Sequence, residues 1–192
     1  MTLAGQTVHH ASIGVSEAPG RLCGTSVAGN IGYDLLRNFR VTIDYAGKRV
    51  AVNEPPPAPI QAGTAMRIPG EAKPLIILDA TIDGRGPHPF AVGTGAGGTL
   101  IAPELVDELG LIGGQPVKCA GCAGVMEGRI APRSVPVSVG SGSTISIQPL
   151  ILDMFDMLSR DGGEKIVGLI GHDVLSRHIL TIDSPGNRLR LP

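Results

Sequence analysis

The chain has 192 residues, with 28 Gly, 16 Pro, no Trp, 3% aromatic residues and a formal net charge of -1. That length suits one domain or two small ones. The near-zero charge offers no basic surface for nucleic acid, and no apolar run approaches the length of a membrane span.

Ile, Val and Leu are plentiful and long helical patterns are few, which predicts an all-β fold with many tight turns. The first twenty residues lack the basic start and apolar core of a signal peptide; the sequence leaves the compartment unknown, with cytoplasmic as the default. Three cysteines are too few for a disulfide framework.

In chain order, the first clear unit runs over 29–52: a glycine turn (Ile31-Gly32), a short helix, then two strands. Val41 to Tyr45 alternates faces, and Gly47 is expected to make the hairpin turn. Asp34 opens the helix, where N-capping is the expected role. Glu54-Pro-Pro-Pro-Ala-Pro59 reads as a stiff linker, because proline favours extended chain and cannot join a central strand. Ile60 to Lys73 continues it or adds an edge strand. Leu75 to Ile82 is a strand, and Asp83-Gly84 is a hairpin-turn pair. Phe90-Ala-Val92 is a second strand, running into the loop Gly93-Thr-Gly-Ala-Gly-Gly98. Ala102 to Gly110 then has a proline near its start, a glycine at its end, and Leu105, Val106 and Leu109 on one side, as a short helix should. Further on, 134–139 and 144–147 read as a hairpin around Gly140-Ser-Gly-Ser143.

The last unit repeats the first. Residues 168–191 align without gaps on 29–52, with identities at Gly29/Gly168, Ile31/Ile170, Gly32/Gly171, Asp34/Asp173, Leu36/Leu175, Thr42/Thr181, Ile43/Ile182, Asp44/Asp183, Gly47/Gly186 and Arg49/Arg188. A repeat of this kind constrains the fold. The bland reading is that any β-protein can reuse a strand–helix–hairpin unit.

The stretch Ala91-Val-Gly93-Thr94-Gly95-Ala96 resembles the active-site loop of the retropepsin-like aspartic proteases, which reads hydrophobic-hydrophobic-Asp-Thr-Gly-Ala. Here the place of the catalytic aspartate is held by Gly93. Ile31-Gly32 and Ile170-Gly171 are similar to the hydrophobic-Gly turns that brace that loop. The resemblance implies a closed β-barrel lobe of acid-protease type over 74–192 and a partial second copy over 1–54 (the back half only), joined by a linker over 55–73. By the repeat offset, the loop belonging to the first copy falls before Met1. A half lobe leaves sheet edges unpaired, which leads us to expect a homodimer or lobe–lobe pairing. The resemblance also implies a peptide or protein ligand and no cofactor or metal. It implies a mobile flap, for which 117–129 is the candidate, with Cys119, Gly121, Cys122, Gly124 and Val125 as binding residues.

In that family two carboxylates share one proton and activate water. Gly93 can supply neither charge nor proton acceptor, and Asp79, Asp83, Asp34 and Asp173 are all placed for structural roles. Thr94 is expected to hold the lobe interface. Three readings follow: an inactive homologue, a protease that is active when paired with an Asp-bearing lobe, and a redox or metal module built on Cys119 and Cys122. Zinc needs about four ligands, and Cys23, His9, His10, His88, His172 and His178 lack the spacing of a known finger. His9-His10 reads as a solvated pair, and His172 and His178 as packing residues.

Overall fold

The computed structural model describes residues 2–3, 5–7, 30–53, 60, 62–70, 74–121, 124–140 and 142–192. The expectations for His9, His10, Cys23, Gly29, Cys122 and the proline run at 54–59 lie outside the described residues. At the start, β1 (Thr2–Leu3) pairs with β2 (Gln6–Thr7). The first repeat unit gives α1 (Tyr33–Leu36), β3 (Arg40–Asp44) and β4 (Arg49–Asn53), and β5 (Thr64–Ala65) follows it.

The main body begins with β6 (Ile77–Ile82) and β7 (Arg85–Val92). Asp83 and Gly84 join them with φ of +52° and +73°, the doubly left-handed turn that an Asp-Gly pair favours. Leu78, Ala80 and Ile82 alternate inward along β6 while Asp79 faces out, the pattern of a strand with one covered face. Then come β8 (Leu100–Ile101), α2 (Glu104–Glu108), the hairpin of β9 (Gln115–Gly121) and β10 (Gly124–Ile130), and the hairpin of β11 (Val135–Val139) and β12 (Ile145–Ile147). The chain closes with β13 (Leu150–Ile151), α3 (Phe155–Gly162), β14 (Gly168–Ile170), α4 (His172–Leu175), β15 (Ile179–Asp183) and β16 (Arg188–Arg190).

Nine strands form one curled, half-barrel sheet in the order β12-β11-β6-β7-β14-β8-β13-β10-β9. The fold is all-β, as the composition predicts. Its core is apolar: Ile77, Leu78, Ile82, Phe90, Ile101, Leu111 and Ile170 are fully buried. Removing such side chains from water is the main favourable term in folding.

Five strands form a second sheet, β4-β3-β15-β16-β5. In it β3 lies antiparallel on β15, with Thr42 opposite Thr181, Val41 opposite Ile182 and Ile43 opposite Leu180. Part of the span 55–73 expected as linker packs against the main body. β5 is the edge strand, Met66 is buried, and Arg67 bridges Asp79 at 2.9 Å and Glu164 at 2.8 Å.

Three local details differ from the sequence reading. α3 was not expected; Phe155 and Leu158 are its buried side, and Gly163 ends it in the left-handed conformation at φ +72°, a common helix stop. The hairpin turns carry their positive φ at Lys48 and Asn187 rather than at Gly47 and Gly186. Those two glycines instead donate their N–H groups to the carboxylates of Asp44 (2.7 Å) and Asp183 (3.3 Å). Finally, neither Asp34 nor Asp173 caps its helix: the N-cap residues are Gly32 and Gly171, and each aspartate sits inside the first turn.

Candidate active-site loop

Residues 93–98 form the crossover between β7 and β8. Gly93 to Ala96 is a tight turn, closed by the Ala96 N–H to the Gly93 carbonyl at 3.0 Å. Thr94 and Gly95 are its exposed tip. β14 threads between the two strands that flank the loop, parallel to β7 (Gly168 to Phe90, Ile170 to Val92) and antiparallel to β8. The loop is therefore braced from below by the Ile170-Gly171 turn. The Gly93 N–H reaches the Ile170 carbonyl at 3.0 Å, and the His172 N–H reaches the Ala96 carbonyl at 2.9 Å. Gly171 is required by close approach: a Cβ there would lie 2.1 Å from the Gly98 carbonyl oxygen.

A buried hydroxyl completes the brace. Thr99 is fully buried. Its Oγ1 donates to the Asp173 carboxylate at 2.7 Å and accepts the Gly171 N–H at 3.1 Å. The Val174 N–H also reaches that carboxylate, at 3.0 Å. Asp173 is thus held as a structural acceptor at the base of the loop. The sequence singled out Asp173 but not Thr99; their meeting depends on a contact between residues 74 apart, which no local pattern reports.

Gly93 itself offers only backbone. Its φ lies outside the left-handed region, so the conformation admits other residues. A Cβ at 93 would stand 2.6 Å from Leu169 Cδ2, the movable end of that side chain, and 3.2 Å from the Ala96 Cβ. The loop from 93 to 98 contains no titratable side chain.

The hairpin of β9 and β10 occupies one edge of the large sheet. Gly121 pairs with Gly124, Ala120 with Val125 and Cys119 with Met126. Cys119 is half-buried and Val125 is 70% exposed. A recess of about 570 Å³ lies along the hairpin's lower half, lined by Pro103, Val117, Gly128, Ile151 and Asp153 among others. Among the described residues no three His, Cys, Asp or Glu side chains converge as metal ligands would. His172 packs edge-on against Tyr45, with ring centres 5.1 Å apart, and His178 Nδ1 contacts the Pro192 carbonyl.

A protein-family model described as Aspartyl protease matches residues 78–174. The chain belongs to the aspartyl protease family. The match runs from β6 through the loop and the hairpin to α4. Among solved structures, the chain is similar to the retroviral protease-like domain of Ddi1 from Leishmania major, at 22% identity over 61% of this chain and 87% of that one (TM-score 0.42). It is also similar to a retropepsin-like aspartic protease from Rickettsia conorii, at 18% identity over 65% and 91% (TM-score 0.41). A third similar structure is the EIAV protease complexed with the inhibitor HBY-793, at 22% identity over 56% and 88% (TM-score 0.37). The comparison with curated proteins gave no match.

Proposed function

We propose that this chain is an aspartyl-protease family member that does not hydrolyse peptides at its own loop, and that it serves as a peptide-binding or lobe-pairing relative of the enzymes. What supports this reading is Gly93, which by the resemblance of Ala91–Ala96 to the family's loop holds the place of the aspartate. Hydrolysis by a dyad needs one carboxylate to take a proton from water and another to polarise the scissile carbonyl. Here the loop has no carboxylate, and the Asp173 oxygen nearest the brace is committed to Thr99 and Val174. The loop's backbone brace and the edge hairpin support retained binding of an extended peptide.

The test is incubation of the purified chain with fluorogenic peptides at acid pH, with and without a transition-state-mimicking inhibitor. No inhibitor-sensitive cleavage is expected. Such cleavage would overturn the reading and would favour the alternative, in which an Asp-bearing partner lobe makes the site active.

A further inference from the structure

The brace uses only one of the two carboxylate oxygens of Asp173. Oδ1 accepts from the Thr99 hydroxyl at 2.7 Å and from the Val174 N–H at 3.0 Å. Oδ2 takes no hydrogen bond and no ion pair among the described residues. It faces Gly98: beyond the adjoining residues, Oδ2 is the one described atom within 4 Å of where a Cβ on Gly98 would stand, at 3.8 Å. The opposite side of Gly98 is closed, because its carbonyl lies against Gly171. Beside it, a Cβ on Gly97 would meet nothing described within 4 Å.

Neither Gly97 nor Gly98 has a left-handed φ, and neither is crowded on this side. Conformation and packing therefore do not require glycine at these two places. Glycine also serves where a backbone must be approached closely by a ligand. The open side of Gly97 and Gly98 ends on a half-buried carboxylate, where a cation is less screened by water than at a fully exposed one. The loop from 93 to 98 contains no titratable side chain that would compete for it. The commitment of Oδ1 to two donors also sets the kind of cation. A guanidinium pairs best with both oxygens of a carboxylate, whereas an ammonium is a point charge that one free oxygen can hold.

We infer that Asp173 Oδ2 is a specificity determinant of the loop: it receives the ammonium of a lysine side chain from an extended peptide lying along Gly97 and Gly98. The inference rests on the peptide-binding reading proposed above and adds the chemical class of the ligand.

The test is fluorescence polarisation of the full chain with labelled Val/Thr peptides in which one lysine is moved along the sequence. The same peptides with norleucine in its place are the reference. At one position or more, the lysine peptide should bind roughly tenfold tighter, the scale of a hydrogen bond to a charged group. Added salt should shrink that gain. Asp173→Asn keeps an acceptor for Thr99 and Val174 and puts an amide where Oδ2 stands, so the lysine gain should disappear. A merely structural Asp173 would instead weaken both peptides alike, leaving their ratio unchanged, and that result would count against the inference. Gly98→Lys leaves Asp173 and its brace in place and sets a tethered ammonium against Oδ2. It should abolish the gain too, and it decides the matter if Asp173→Asn does not fold. Equal binding of lysine and norleucine peptides at every position would overturn the inference and leave the peptide-binding reading standing. Absence of binding by any peptide would remove both.

Discussion

Nine of the ten residues shared by 29–52 and 168–191 are described in both settings, and the settings differ in what covers them. In the later unit, Ile170 is fully buried and Gly171 touches the Gly98 backbone. In the earlier unit, Ile31 is 44% exposed, and a Cβ on Gly32 would meet only the Asp34 side chain, at 2.9 Å. Asp173 accepts a hydroxyl from Thr99, whereas Asp34 is exposed. The hairpin ends of both units are alike, since Asp44 and Asp183 each receive a glycine N–H across the turn. The unit thus has an autonomous part, the strand hairpin, and a dependent part, the glycine turn, which is buried only where a loop like 93–98 lies over it.

Paired substitutions sharpen that contrast. Ile170→Ala should destabilise the protein by about 3 kcal/mol through loss of buried surface and the cavity left behind, whereas Ile31→Ala should change stability by less than about 0.5 kcal/mol. Urea unfolding of the two variants measures both, and equal effects would break the contrast. Gly171→Ala must displace the Gly98 carbonyl and should cost about 2–3 kcal/mol as overpacking. Gly32→Ala meets only a movable carboxylate tip and should cost well under about 1 kcal/mol.

Between the units, Arg40→Met should cost about 2 kcal/mol, less than for a fully buried pair because the Arg40 side chain is 17% exposed. Smallest is the pH effect. Burial pulls the Asp183 carboxyl upward, but Arg40 and the Ile60 and Gly186 N–H groups outweigh it and hold the group below its ordinary 3.8. A carboxylate with a lowered folded-state value adds stability that is fully present above the unfolded value and is lost as pH falls through the folded one. Melting temperature should therefore be flat from neutral pH down to about 5 and fall below about 4, with a shallower acid fall in Arg40→Met.

Much of this organisation was legible in the sequence. The Asp83-Gly84 turn, the strands around the loop, the helix after Pro103 and the ten identities follow from local chemistry and from self-comparison. The matching residues of 29–52 and 168–191 were legible as pattern, but the pairing of β3 with β15 was not. Val41, Thr42 and Ile43 fit any antiparallel neighbour, and only the Arg40–Asp183 contact selects β15. The Thr99–Asp173 bond and the packing of Leu169 beside Gly93 were likewise hidden, because both join segments that are far apart in the chain. Helix α3 was overlooked because its apolar face rests on few residues, Phe155 and Leu158, in a stretch expected to hold the flap and its flanking strands.

The central claim is that Gly93 leaves the loop without the group that activates water. It is tested most directly by mass spectrometry of a degenerate peptide pool incubated near pH 4.5 with the wild-type chain. Loss of a positioned acid or base typically costs on the order of 10²–10⁴ in rate, and on the proposed reading the shared proton of the dyad goes with it. The account predicts no cleavage that an aspartic-protease inhibitor abolishes. Inhibitor-sensitive cleavage by the wild-type chain would contradict it.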